Sequence, residues 1–243
     1  MYAEILRLVE TFTKHLIGLG IPTKRVRNLY KGTTYLEAYS QHTDLRVESE
    51  PHLAIGGHWE AIGRLQFEFL MSKGLSPHHK MLDIGCGTLR GGRHFIKYLN
   101  TGKYSGIDIS SKAIMYANQL VQQEELFEKC PRLLVSENRD LKFREFSGET
   151  FDYILAQSVF THLRPEHIKE CFANIGHIMH ESSAFYFTYR KGVAYRQLGL
   201  KDFCYSFSFF ESLAEQHGFQ LYDRSNEYNH PRGQRMIELL KNR

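Results

Sequence analysis

Apolar residues along this chain recur with two spacings, and the change from one to the other marks where the main domain begins. From His58 to Lys73, Trp59, Ile62, Leu65 and Phe69 return every three or four positions, the period of one helix face, and Gly74 and Pro77 close the segment. Beyond it, short apolar runs alternate with turns and helical periods, the signature of β-α-β units. The runs predict strands over Lys80 to Ile84, Tyr104 to Ile109, Leu133 to Ser136, Tyr153 to Gln157 and Ala184 to Tyr189. Pro165 to His180 is predicted as a helix. Pro165 suits its first turn, and Ile168, Cys171, Phe172, Ile175 and Met179 form one core-facing stripe. A helix over Phe209 to His217 ends at Gly218, followed by strands at Phe219 to Tyr222 and Arg235 to Leu240. Their hairpin-like connection implies an antiparallel last strand on a mostly parallel sheet. The first 57 residues show helix and loop with breaks at Gly18, Gly20, Pro22, Gly32 and Pro51, and no strand pattern. The expected organisation is a helical N-terminal cap over 1–57 and an α/β domain over 58–243.

Composition narrows the class. With 243 residues, 42% of them hydrophobic, the chain can bury one sizeable core, so a single main domain is expected. The net charge of +4 is spread along the chain; the densest basic stretch, Lys24 to Lys31, reads as a solvated face, and nucleic-acid binding is not indicated. Cys86, Cys130, Cys171 and Cys204 form no C-x-x-C pair, which argues against a zinc site or a disulfide framework and favours a reducing, cytoplasmic setting. Thirteen histidines include no H-E-x-x-H, so no metal is expected. Glu4 and Glu10 interrupt the first apolar stretch, unlike a secretory signal, and no run is long enough to span a bilayer.

The strongest local signal is Met81-Leu82-Asp83-Ile84-Gly85-Cys86-Gly87-Thr88-Leu89-Arg90-Gly91-Gly92, a buried strand that enters a helix through a glycine-rich turn. Gly85 and Gly87 allow positive φ and close approach to a ligand, although a tight turn with no ligand also accounts for them. Asp108 closes the next strand, at the spacing of a carboxylate that grips a ribose diol. Its alternative role as a helix cap can be filled by Ser110 or Ser111.

From about Trp59 to Leu240 the chain resembles the class I S-adenosylmethionine-dependent methyltransferases of the small-molecule type. Four segments match in order: the acid and glycine-rich turn at Asp83 to Gly87, the strand-end Asp108, Asp140-Leu141 ahead of Phe151-Asp152-Tyr153-Ile154, and Ala156-Gln157-Ser158-Val159-Phe160-Thr161-His162-Leu163. One position departs, because Leu89 stands where the family usually has a third turn glycine. The resemblance implies a Rossmann-like, doubly wound, mostly parallel seven-stranded sheet with an antiparallel last strand, and S-adenosylmethionine as cofactor. It assigns Asp83, Gly85, Cys86, Gly87, Asp108, Ile109, Asp140, Leu141 and Gln157 to cofactor binding, with Asp140 accepting from the adenine amino group and the Leu141 backbone at the ring edge. Arg64 or Arg90 would pair with the methionine carboxylate, since a guanidinium matches that anion. A nicotinamide enzyme is the natural rival, but Asp83 at the mouth of the turn would repel two phosphates, whereas it attracts an ammonium and a sulfonium.

Methyl transfer from a sulfonium needs mainly alignment and desolvation. Where an acceptor must lose a proton, His162 is the candidate base, though a structural histidine at a helix start is the commoner case. His230, Arg232 and Gln234 fall in the loop before the last strand, at the carboxyl edge of the sheet, and are expected on the acceptor side unless the loop is an ordinary polar hairpin. Tyr189 belongs to the aromatic-rich run from Phe185 to Phe210, part of which, with the cap, is expected to enclose a flat or apolar acceptor. Gln157-Ser158-Val159-Phe160 is not the Asn/Asp-Pro-Pro-aromatic signature of base-amine methylation, and Gln157 takes the place of the acid that would hold magnesium. A metal-independent methyltransferase with a small-molecule acceptor is therefore expected; an NAD(P)-linked oxidoreductase and a non-catalytic S-adenosylmethionine-binding partner protein remain as alternatives.

Overall fold

The computed structural model describes residues 23–54 and 57–242. The expected breaks at Gly18, Gly20 and Pro22, and the segment holding Glu4 and Glu10, lie outside the described residues. Helix α1 (Lys24–Gly32) starts at Thr23, whose hydroxyl accepts from the Val26 N–H, and α2 (Tyr35–Ser49) starts at Thr34, which accepts from Glu37 N–H. The one-turn α3 (Pro51–Ala54) follows, then α4 (Trp59–Ser72), whose buried residues Ile62, Gln66, Phe69 and Leu70 lie on one face.

The remaining elements alternate as the apolar runs predict: β1 (Met81–Ile84), α5 (Gly92–Tyr98), β2 (Tyr104–Asp108), α6 (Ser111–Gln123), β3 (Arg132–Val135), β4 (Phe151–Ala156), α7 (Pro165–Ile175), β5 (Met179–Tyr189), the short strands β6 (Arg196–Gln197) and β7 (Phe203–Cys204), α8 (Phe207–Gln216), β8 (Phe219–Asp223) and β9 (Arg235–Lys241). The seven-stranded sheet has the order β3-β2-β1-β4-β5-β9-β8, with β9 antiparallel to both neighbours and the other pairings parallel. This is the doubly wound, mostly parallel fold with an antiparallel last strand. Strand order reverses between β1 and β4, so the crevice beyond their carboxyl ends is where such a sheet offers a ligand site.

Strand parity sorts the core into two layers. Leu82, Ile84, Ile154, Phe185 and Phe187 face one side, packing with Ile168, Phe172 and Phe210 from α7 and α8. Met81, Leu155 and Tyr186 face the other, with Phe69, Phe95 and Leu120 from α4, α5 and α6.

Two expectations need correction. Helix α7 stops at Ile175 rather than His180; a single 3₁₀ turn carries the chain to Met179, which pairs with Phe151 as the first residue of β5. The ladder is irregular there, and the Ser183 hydroxyl bridges it, donating to Phe151 O at 2.6 Å and accepting from His180 N–H at 2.8 Å. Met179 therefore serves the same core from a strand. The β6–β7 hairpin, paired Arg196 to Cys204, has no counterpart among the predicted strands because two-residue strands carry no readable period.

Helix α2 is bonded into the α/β domain at several points. Tyr35 is buried in the first core layer and donates to His162 O at 2.6 Å; Ser40 donates to Ile109 O at 2.8 Å; Asp44 accepts from the Ser110 hydroxyl at 2.6 Å. These bonds draw α2 over the carboxyl ends of β2 and β4.

Candidate functional site

A cavity of about 520 Å³ opens at that crevice, within the size range of a small-molecule site. The turn after β1 forms its floor. Gly85 and Gly87 take φ of +69° and +55°, and a Cβ on Gly85 would come within 2.5 Å of Val159 Cγ2, so glycine is required there. Leu89 also takes positive φ, +66°, with its side chain fully buried. The backbone thus keeps the turn a glycine would adopt, and the burial of the leucine in the second core layer offsets the strain.

Asp83, Asp108 and Asp140 all line this one cavity. Asp83 is buried and accepts from the Tyr104 hydroxyl at 2.8 Å; burial is the main cause that pushes its carboxyl up to about 7. Asp108 accepts from Gly87 N–H at 2.9 Å through one oxygen and from Ser110 N–H at 2.8 Å through the other, so it also ties β2 to the glycine turn. Burial raises it to about 6 despite those bonds. A carboxylate has about four acceptor positions, so these bonds, with the Ile109 N–H also contributing, leave room for a ribose hydroxyl. Asp140 pairs with Arg144 at 3.1 Å.

Cys86, Ile109, Leu141, Arg90 and Gln157 line the cavity as well. Arg90 is buried and donates to Gly57 O at 3.0 Å. The Leu141 N–H is already engaged by Glu170 Oε2 at 3.0 Å, which argues against the backbone contact expected of it at the adenine edge; its place on the lining remains. Gln157 belongs to a polar cluster: its carbonyl accepts from the Tyr228 hydroxyl at 2.7 Å, and Gln234 Oε1 accepts from Thr188 at 2.7 Å and Ser158 at 3.0 Å. With its oxygen so used, the Gln234 amide group is left with its N–H donors for a ligand.

His162 lines the cavity and is buried enough to hold its imidazole well below the usual histidine range, hence neutral. Its Nδ1 lies 2.8 Å from Lys201 O, a partner that can only accept. The proton therefore sits on Nδ1 and leaves Nε2 the lone pair a base needs.

Three expected site residues lie elsewhere. Arg64 is exposed on α4, 3.8 Å from Glu60, because the buried face of that helix runs through Ile62 and Gln66. Tyr189 follows the parity of Phe185 and Phe187 into the core, 4.7 Å from the Phe210 ring. His230 is buried outside the lining, its Nδ1 accepting from Arg232 N–H at 3.2 Å. Arg232 and Gln234 do reach the cavity. The expected aromatic enclosure from the Phe185 to Phe210 run is absent from the lining; Tyr39 of α2 lines the cavity instead.

Sequence reasoning missed Gln66, Arg46, Arg190 and Lys201, all on the lining. Gln66 had a signal, being a polar residue on the buried stripe of α4. The three cations had none. Among the described residues no group of three or more His, Cys, Asp or Glu is placed to hold a metal ion, and no helix is long and apolar enough to cross a membrane.

The fold, with its cavity at the switch point, is one that solved S-adenosylmethionine-dependent methyltransferases share. Residues 82–183 match the methyltransferase domain family. The phosphoethanolamine N-methyltransferase of Plasmodium falciparum is 29% identical over 149 residues, 60% of this chain and 52% of that protein, so the chain spans about half the length of this curated relative. Among solved structures, phosphoethanolamine N-methyltransferase 2 of Haemonchus contortus, in complex with phosphomonomethylethanolamine and S-adenosylhomocysteine, superposes with a TM-score of 0.64 at 14% identity, covering 87% of this chain and 61% of that one. The [4+2]-cyclase SpnF superposes with a TM-score of 0.66 at 14% identity, covering 86% and 97%. At such identities the superpositions show the fold.

Proposed function

We propose that the chain is an S-adenosylmethionine-dependent methyltransferase that moves a methyl group to a small-molecule acceptor without a metal, in the reducing setting its four free cysteines suit, the cytoplasm. The observation that carries this reading is the convergence of Asp83, Asp108 and Asp140 with the positive-φ glycines on one cavity at the switch point.

That donor set fits the cofactor. Asp108 holds the ribose diol, Asp140 takes the adenine amino group beside the apolar side chains of Leu141 and Phe143, and Asp83 meets the ammonium through its ionised form. Arg90 takes the carboxylate of the methionine tail. Bound S-adenosylmethionine supplies an activated methyl group on a sulfonium. The chain contributes alignment, exclusion of water under α2, and, where the acceptor must be deprotonated, the neutral His162 as proton acceptor at Nε2. Arg232 and Gln234 border the acceptor.

The direct test is transfer of labelled methyl from S-adenosylmethionine into a fractionated cell extract. Label in a low-molecular-mass fraction, lost in Asp108→Ala, is the expected result. Label found only in protein or nucleic acid would reject the small-molecule acceptor, and none at all would favour a non-catalytic binding protein. Phosphoethanolamine is a reasonable first compound to add, given the relative named above.

A further inference from the structure

The charges around the cavity are segregated. The three acids that suit the cofactor stand at the carboxyl ends of β1 and β2 and in the segment after β3, with Arg90 beside them, whereas Arg46, Arg190, Lys201 and Arg232 line the part formed by α2, the segment between β5 and α8 and the loop before β9. Against Arg190, Lys201 and Arg232 the same part presents one acid, Asp202, which lies 3.5 Å from His162 Nδ1. Arg139, also on the lining, is already neutralised by Glu37 at 2.9 Å. Arg190, Lys201 and Arg232 make no ion pair among the described residues.

The cations feel one another. Burial first, then Arg46, lowers the Lys201 ammonium to about 8, with Arg232 adding to the effect, and Arg232 likewise acts on Arg46 and Arg90. Collecting like charges in a partly enclosed space is unfavourable unless a counter-charge enters with the ligand, because screening there is weaker than on an open surface. A cationic acceptor group would be repelled from this end, and a neutral one would leave the repulsion in place.

Resting on the methyltransferase reading above, we propose that the acceptor carries an oxyanion, a phosphate or carboxylate group, which Lys201, Arg190 and Arg232 hold beside Arg46. The arrangement ties recognition to chemistry. Lys201 Nζ lies 5.7 Å from the centre of the Tyr39 ring, the same ring lies 5.4 Å from the His162 imidazole, and the Lys201 carbonyl fixes the His162 tautomer at 2.8 Å. An anion seated on Lys201 therefore brings the rest of the acceptor alongside His162. Charge-assisted bonds from a forked guanidinium and an ammonium give such a group both orientation and affinity.

Calorimetry tests this with inorganic phosphate and sodium acetate as probes, titrated into the full chain with and without S-adenosylhomocysteine. Saturable binding of either anion to the loaded chain is expected, phosphate alone marking a phosphate acceptor and acetate alone a carboxylate one. Lys201→Met and Arg232→Gln should each weaken it by about tenfold, the loss of roughly one charge-assisted bond, with S-adenosylhomocysteine affinity unchanged. Three results would overturn the proposal: neither anion binds; the anion binds equally well to the Lys201→Met/Arg232→Gln double variant; or the variants lose S-adenosylhomocysteine instead, which would make these cations partners of the cofactor's own carboxylate. If S-adenosylhomocysteine fails to bind wild type at all, the methyltransferase reading falls by itself, while the titration of the unloaded chain still reads the cation cluster.

Discussion

The two ends of the cavity are built in opposite ways. At the sheet end, Asp83, Gly85, Gly87 and Asp108 lie within 26 residues of one another and are held by backbone, with the Asp108 carboxylate bonded directly to the Gly87 amide. At the other end, Tyr39, Arg46, Arg190, Lys201 and Arg232 come from three distant segments, and side-chain packing of α2 brings the first two into place. The first end is acidic and the second cationic. A sheet can carry a binding motif in a few consecutive residues because parallel pairing aligns its strand ends; specificity for a second ligand is left to whatever chain is laid across the opening.

The largest effect is expected at the joint between the ends. Tyr35→Ala removes an aromatic ring from the first core layer and its bond to His162 O, and should cost about 3–5 kcal/mol in denaturant unfolding. A loss near zero would mean that α2 is an appendage and not a wall of the site. Next, Asp108→Asn should weaken S-adenosylmethionine by about a hundredfold through the lost charge-assisted bonds, yet leave phosphate binding at the cationic end within about twofold, since Asp108 bonds to the glycine turn and to Ser110 and to none of the four cations. Equal loss of both would merge the two ends into one unit.

The sheet end was legible because its chemistry is local. A strand, a glycine turn and an acid at the next strand end appear in the sequence in order, and each was found on the lining. Arg64 and Tyr189 failed for a shared reason: both sit on the element expected, and the face each presents depends on one step of periodicity that apolar spacing alone did not resolve. Arg190 precedes, and Lys201 lies in the turn of, a hairpin too short to show a pattern, and Arg46 looks from the sequence like any charge on a helix, so their convergence exists only after folding. Leu89 was visible as a departure from the family, but only its φ explains how the turn survives it.

Smaller effects sharpen the contrast. Because burial raises Asp83 to about 7, attraction of an ammonium should strengthen as the pH rises from about 6 to 8, by up to about tenfold in affinity, and this dependence should flatten in Asp83→Asn. Without cofactor the sign reverses. The folded chain holds the Asp83 proton where the unfolded chain has lost it, so this contribution to stability is full below the ordinary carboxylate range and is lost as the pH rises through about 7. At the bottom of the scale, Leu89→Gly relieves about 1 kcal/mol of backbone strain but forfeits a fully buried side chain worth about 2–3 kcal/mol. A net loss of about 1–2 kcal/mol in thermal unfolding is expected, and a gain would show that strain governs the turn.

Which charge the acidic end was built to receive is decided by calorimetric titration of the wild-type chain with S-adenosylmethionine and, separately, NADH. Saturable one-to-one binding of S-adenosylmethionine with no heat from NADH is the predicted result. Binding of NADH with none of S-adenosylmethionine would contradict the account, because it would mean that Asp83 and Asp108 tolerate two phosphates where a cation was expected.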